Sequence, residues 1–190
     1  MVNLTKIYTR TGDGGETRLG DMSTTRKTDT RLEAYANVDE ANSVIGIALA
    51  TGGLEPEVVT VLTSVQNDLF DVGADLCTPV VESPDYPPLR IEQFYVDRLE
   101  AWCDEFNEHL PKLRSFILNG GTPAAAHLHL ARTVVRRAER AGWAAYDEHG
   151  ATMNVLALTY LNRLSDLLFI LARHANRATG DVLWKPGGER

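Results

Sequence analysis

The sequence predicts an all-α protein: five helices in an antiparallel bundle, preceded by an extended N-terminal segment. Three observations predict it. Apolar residues recur at steps of three and four in separate long stretches. Capping residues, prolines and glycines bound those stretches. Strand-like alternation is nearly absent, and long helices with short connections favour up-and-down packing around one core.

Residues 1–29 are polar and rich in Gly and Thr, without a sustained period, and read as an extended, loop-like segment. The first helix opens at TRLE, where Thr30 and Glu33 have capping-box spacing, and runs to the natural stop at Gly52-Gly53. The second starts near Pro56, a good first-turn residue, and carries Val58, Leu62, Val65, Leu69 and Val72 on one face. Residues 78–89, TPVVESPDYPPL, hold four prolines and form a loop. The third helix, near residues 90–109, sets Phe94, Leu99, Trp102 and Phe106 among charges, and a second loop, 111–121, ends in NGG. The fourth begins at Thr122-Pro123, an N-cap followed by an N1 proline. It ends before Gly150, with Leu128, Ala131, Val135 and Ala138 on its core side. The fifth, near 152–178, is the most apolar, with Leu161, Leu164, Leu168 and Leu171 in register. The tail, GDVLWKPGGER, reads as mobile or lightly docked.

A chain of 190 residues with 44% apolar residues fits one domain, 1–190, with a full core. It divides into an N-terminal segment (1–29), the bundle (30–178) and the tail (179–190). No apolar run approaches the roughly 18–20 residues that span a bilayer, and MVNLTKIYTR lacks an apolar signal core. A cytoplasmic protein without a membrane partner is expected. Cys77 and Cys103 form no CxxC pattern and read as buried small residues in a reducing compartment. The net charge of −7 argues against nucleic-acid binding. The cations are unusual in kind, 15 Arg against 4 Lys, which suits a local anion site in an acidic protein.

Two segments could form such a site. TRTGDGGETRLGD, Thr9 to Asp21, has four glycines, three threonines and two arginines. It is neither a Walker A motif nor a dinucleotide fingerprint. Glycines let successive N–H groups face one anion, and Thr9, Thr11, Thr17, Arg10 and Lys27 add hydroxyls and charge. A flexible arm is the plain alternative. The second segment is RTVVRRAER, where Arg132, Arg136 and Arg140 share a helical face and Arg137 lies about 100° round. Arginine suits bidentate phosphate contacts, and close arginines repel one another unless an anion lies between them; a solvated face is the alternative. Asn162 faces a nucleotide or forms a polar edge. Asp39 pairs with an arginine across an interface or is a plain surface carboxylate. Phe116, Ile117 and Leu118 plug the core or wall a flat ligand. His127 and His129 point to different sides of one helix, so no metal site is expected.

Four blocks resemble the PduO-type ATP:cob(I)alamin adenosyltransferases: KIYTRTGDGGETRLG (6–20), YANVDEANS (35–43), SFILNGGT (115–122) with ARTVVRRAER (131–140), and NVLALTYLNRLSDLLFILAR (154–173). The resemblance implies a ferritin-like five-helix bundle, a homotrimer, and active sites between subunits. ATP with Mg²⁺ would be held by Thr9, Arg10, Thr11, Gly12, Asp13, Gly14, Gly15, Thr17 and Lys27 of one subunit. Arg132, Arg136, Arg137, Glu139, Arg140 and Asn162 of its neighbour would complete the site. Asp39 would bridge to Arg132 between subunits, and Phe116 would lie beneath the corrin. Two departures are visible. Asn119 stands where the family usually has Pro, so the loop keeps its shape with more freedom, and Ala41 stands where Leu is common.

The implied reaction is attack of cob(I)alamin on the 5′ carbon of ATP, giving adenosylcobalamin and triphosphate. The cobalt itself is the nucleophile, which agrees with the absence of any catalytic triad in the sequence. A reductase and a cobalamin-dependent acceptor enzyme are the implied partners. Two other readings remain: a nucleotide hydrolase or kinase using the same loop, with Asp13 as its magnesium carboxylate, and a corrinoid carrier that delivers the cofactor without reaction.

Overall fold

The computed structural model describes residues 7–189 apart from Gly52 and Asp85; Lys6 of the first resembling block lies outside them. Among the described residues are a two-stranded hairpin, β1 (Glu16–Arg18) and β2 (Thr24–Arg26), and five α-helices. The helices are α1 (Thr30–Ala50), α2 (Pro56–Cys77), α3 (Gln93–Glu108), α4 (Pro123–His149) and α5 (Val155–Ala175). In the bundle α4 lies between α1 and α5; α2 packs on α1, and α3 packs on α5. The expected apolar faces of α2 and α4 are buried, and the four leucines of α5 lie at the centre of the core. By length and composition α5 could cross a bilayer, but its Leu, Ala and Tyr160 face its neighbours in the bundle.

The hairpin corrects the loop-like reading of residues 1–29. Thr17 pairs with Thr25 across an antiparallel register that is three residues long, too short for alternation to show. The start of α1 is also corrected. Its N-cap is Asp29, whose carboxylate accepts from the Arg31 amide at 2.8 Å. Thr30 lies one residue inside the helix and donates its hydroxyl to Glu148 at 2.7 Å, while Glu33 accepts from Asn37 instead of closing a capping box. A carboxylate satisfies the free amides and favours the positive helix end more than a hydroxyl does. The third and fifth helices are shorter than expected at both ends, and a 3₁₀ turn, Gly150–Thr152, precedes α5.

Three polar nodes fix the element ends. Arg31 is 1% exposed; its guanidinium donates to the Leu76 carbonyl at 2.9 Å and the Thr152 hydroxyl at 2.8 Å. It therefore ties α1 to the free carbonyl end of α2. Asp75, also 1% exposed, accepts from Arg90 at 2.6 Å, the Ile91 amide at 2.7 Å and Asn154 at 2.6 Å. The third node is the end of α5. Arg173 donates to Asp181 at 2.8 Å and to the Pro111 carbonyl at 2.7 Å. His174 meets Glu55 at 3.0 Å, and Arg177 bonds both Glu55 and His174. Asn176 donates to the Gly120 carbonyl and accepts from the Thr122 amide, each at 2.9 Å.

Of the two readings of the tail, light docking agrees with the contacts of residues 182–184. The Leu118 amide donates to the Val182 carbonyl at 2.8 Å, and the Trp184 amide to the Phe116 carbonyl at 2.7 Å. Ile117 and Leu183 thus form an antiparallel bridge between the tail and the 111–121 loop. Both cysteines are free and half-buried, and burial raises both thiols, Cys103 to about 12.

Candidate active site

The N-terminal loop is anchored at the hairpin. The Gly20 amide donates to the Cys77 carbonyl at 3.0 Å, and a Cβ on Gly20 would lie 2.0 Å from the Thr78 hydroxyl, so the contact requires glycine. Asp29 accepts from Thr25 at 2.6 Å and meets His149 at 2.9 Å. Beyond the hairpin, the Lys27 amide closes on the Gly15 carbonyl at 2.9 Å, and Gly15 takes φ +83°, a left-handed value that favours glycine. The missing side chain of Gly12 leaves room for the Lys27 ammonium, which lies 3.0 Å from where its Cβ would stand. Thr9 and Thr11 share a hydroxyl–hydroxyl hydrogen bond of 2.9 Å, and Arg10 lies over the Tyr8 ring at 5.5 Å. Asp13 and Gly14 are exposed. The loop therefore presents hydroxyls, glycine backbone and cations on one open turn.

On α4, Ala131, Val135 and Ala138 are buried, and the arginine stripe faces outward. Arg136 and Arg140 are exposed, and among the described residues neither makes an ion pair. Arg132 is half-buried. Its guanidinium lies over the Phe169 ring at 5.8 Å, donates to the Asn119 side chain at 3.3 Å, and keeps Nε buried without a partner. Burial first, and the charge of Arg136 second, push its pKa below the ordinary guanidinium value. An anion at this position would relieve both strains. Arg137 turns to α1, bonded to Asn37 at 2.7 Å and paired with Glu40. Glu139 accepts from Asn162 at 3.0 Å, joining α4 to α5. Asp39 is exposed on α1, with no ion pair among the described residues.

Phe116 is 79% exposed, so the core-plug reading of its loop does not hold. Its ring meets Trp184 edge-on at 6.1 Å, above an open cavity of about 580 Å³ between residues 114–116 and 183–186. Trp184 was not visible as part of this platform in the sequence; the only signal was the apolar triplet Val182-Leu183-Trp184 in a Gly/Pro-rich tail. His127 and His129 diverge as expected: one contacts Thr51, and the other is buried against Phe169. Among the described residues one potential ligand trio does form, with Glu55, Glu57 and His174 within 4.8 Å, and Arg177 already pairs with its Glu55 carboxylate.

Among the described residues no hydrogen bond or ion pair joins residues 9–28 to residues 132–140. The start of α1, just after the hairpin, is tied to Glu148 and His149. At about 1.5 Å per residue, Glu148 lies about 12 Å along α4 from Arg140 and about 24 Å from Arg132.

Residues 7–175 match the family model described as cobalamin adenosyltransferase. The chain belongs to the cobalamin adenosyltransferase family. It is 63% identical to a corrinoid adenosyltransferase of Mycobacterium bovis, over 100% of this chain and 97% of the relative. Identity to a corrinoid adenosyltransferase of Bacillus subtilis is 40%, covering 92% of this chain and 89% of the relative. Among solved structures, a phenylalanine-to-alanine variant of a PduO-type ATP:corrinoid adenosyltransferase from Lactobacillus reuteri, complexed with cobalamin and ATP, superposes with TM-score 0.87. It is 35% identical, covering 95% of this chain and 99% of that one. An arginine-to-lysine variant of the Lactobacillus reuteri enzyme, complexed with ATP, gives TM-score 0.81 at 37% identity, over 94% of this chain and 100% of that one. The family match ends at residue 175, so the tail that backs Phe116 lies beyond it.

Proposed function

We propose that the N-terminal loop of one copy and the arginine stripe of a second copy grip one ATP, in a homotrimer with sites between subunits. The chain is a corrinoid adenosyltransferase: it transfers the 5′-deoxyadenosyl group of ATP to the cobalt of cob(I)alamin. The carrying observation is the face of Arg132, Arg136 and Arg140, three guanidinium groups without an acidic partner among the described residues. Such a face repels itself until a polyanion arrives. The lack of any hydrogen bond or ion pair between loop and stripe in one copy, among the described residues, supports a loop supplied by another copy.

In the reaction the cobalt lone pair forms a bond to C5′, the C5′–O5′ bond breaks, and its electron pair leaves with triphosphate. Negative charge therefore grows on the tail of the substrate. Arg132, Arg136 and Arg140, with Thr9, Arg10, Thr11, Thr17, Lys27 and the Gly12–Gly15 backbone across the interface, stabilise that charge. Mg²⁺ enters with ATP as part of the substrate, and Asp13 offers an exposed carboxylate within the Gly12–Gly15 turn. Preorganised donors of this kind each contribute about 2–4 kcal/mol to a transition state. Asp39 fixes Arg132 across the interface. Glu139 and Asn162, already bonded to each other, face the nucleoside. Arg137 joins once phosphate displaces Glu40. Phe116 covers the lower corrin face and excludes water and the base of the cofactor itself, so the cobalt becomes four-coordinate and easier to reduce.

The decisive experiment is an anaerobic assay of the full chain with cob(I)alamin and ATP, following corrinoid absorbance and phosphate products. Adenosylcobalamin and triphosphate in equal amounts are expected. ADP with phosphate would make the chain a hydrolase, and binding of both ligands without a product would make it a carrier.

A further inference from the structure

Asn119 is the one side chain that joins the Phe116 loop to the arginine stripe by a hydrogen bond among the described residues. The loop is otherwise held from elsewhere. The tail grips it at Phe116 and Leu118, and Asn176 grips it at Gly120 and Thr122. The Asn176 contact is close: a Cβ on Gly121 would lie 2.2 Å from the Asn176 oxygen. Asn119 stands between these two clamps, exposed, with its amide oxygen 3.3 Å from an Arg132 terminal nitrogen.

Arg132 is confined in its turn. Phe169 lies under the guanidinium plane, and Nε is buried. A guanidinium has five N–H donors in a fixed fork, so Arg132 can hold Asn119 on one edge while it gives others to an anion. Any ligand that sets the angle of that fork also sets where Asn119 lies. Phe116 is three residues away, on the same clamped turn.

We propose that Asn119 is a positioning residue that couples anion occupancy at Arg132 to the placement of Phe116. The proposal rests on the function stated above, in which Arg132 holds the polyphosphate and Phe116 the corrin. Coupling of this kind is reciprocal: ATP tightens the corrinoid by the factor by which the corrinoid tightens ATP. The turn itself does not need Asn, because Asn119 has no left-handed φ. Alanine therefore removes the link without straining the backbone, and aspartate keeps an oxygen acceptor for Arg132.

The test is titration of the full chain with cob(II)alamin, which does not react without a reductant, in the presence and absence of MgATP. Affinity and the four-coordinate spectral signature are both read. In the unmodified chain MgATP tightens cob(II)alamin by about fivefold or more. In Asn119→Ala the ratio falls to about one and the four-coordinate signal no longer depends on ATP, while ATP affinity without corrinoid stays within about twofold. Asn119→Asp keeps the unmodified ratio. A wild-type ratio in Asn119→Ala, a ratio of one in the unmodified chain, or loss in Asn119→Asp equal to that in Asn119→Ala each overturns the proposal. Failure of the unmodified chain to bind ATP or cob(II)alamin at all would instead overturn the function on which it rests.

Discussion

Phe116 carries a large aromatic ring into solvent, with the edge of Trp184 against it. A ring in that position contributes little to folding; an aromatic pair of this kind is worth about 0.5–1.5 kcal/mol. On the proposed function, its value is as an apolar surface for the corrinoid. Phe116→Ala is therefore expected to leave ATP affinity within about twofold and to lower turnover from cob(II)alamin with a mild reductant by about tenfold or more. Equal loss of ATP affinity and turnover would remove Phe116 from the corrin face. At this scale the sequence was partly legible. Arg132, Arg136 and Arg140 share a face because of helical spacing alone, and Thr122 caps α4 as its position before Pro123 implies. Trp184 and Asn176 were not legible, because their partners lie 54 to 69 residues away and no local period encodes such contacts. Thr30 was misread because Asp29, one residue earlier, is the stronger cap.

The element ends are held by buried or half-buried polar groups, and their removal should be felt at a distance. Asp75 joins the last turn of α2, the segment before α3 and the N-cap of α5. Asp75→Ala leaves the Arg90 charge and the Asn154 amide without their shared acceptor. Loss of one partner of a buried pair costs about 3–5 kcal/mol, which corresponds to a fall of roughly 10 °C in melting temperature for a domain of this size. Unchanged melting would show that water replaces the carboxylate. A second clasp, at the end of α5, gives a pH dependence. Hydrogen bonds from Arg177 first, then His174, hold the Glu55 carboxyl down to about 2, from its usual 4.5. A depressed carboxyl stabilises the fold above its unfolded pKa, and that contribution is lost as pH falls through the folded value. Glu55→Gln should therefore melt below the wild type by a constant margin above pH 4.5, and the margin should close toward pH 2. A margin that does not change across that range would show that the clasp acts through shape and not charge. The helices themselves were legible because each buries a face at its own period. The hairpin was not, since three-residue strands are set by anchors such as Gly20 on Cys77 and not by alternation.

At the scale of the whole molecule, a chain of net charge −7 carries a glycine-rich loop and an arginine stripe that share no hydrogen bond or ion pair among the described residues. The exposed Asp39 and the outward Arg136 and Arg140 make sense together when a second copy brings its loop to the first copy's stripe. This arrangement can be tested by complementation without any structure of the assembly. Lys27→Glu spoils the loop and leaves the stripe intact; Arg136→Glu does the reverse. Each variant alone builds only defective sites, because every site contains the altered half. Co-expressed in equal amounts, the two chains assemble at random, and about a quarter of the sites combine an intact loop with an intact stripe, whatever the number of subunits in a closed ring. Adenosyl transfer should then recover to about a quarter of the wild-type rate, although each parent is inactive. If loop and stripe served the same chain, no mixture could restore activity, since each chain would carry its own lesion into its own site. Recovery thus depends on the two halves coming from different copies, and the size of the recovery reports how freely those copies mix.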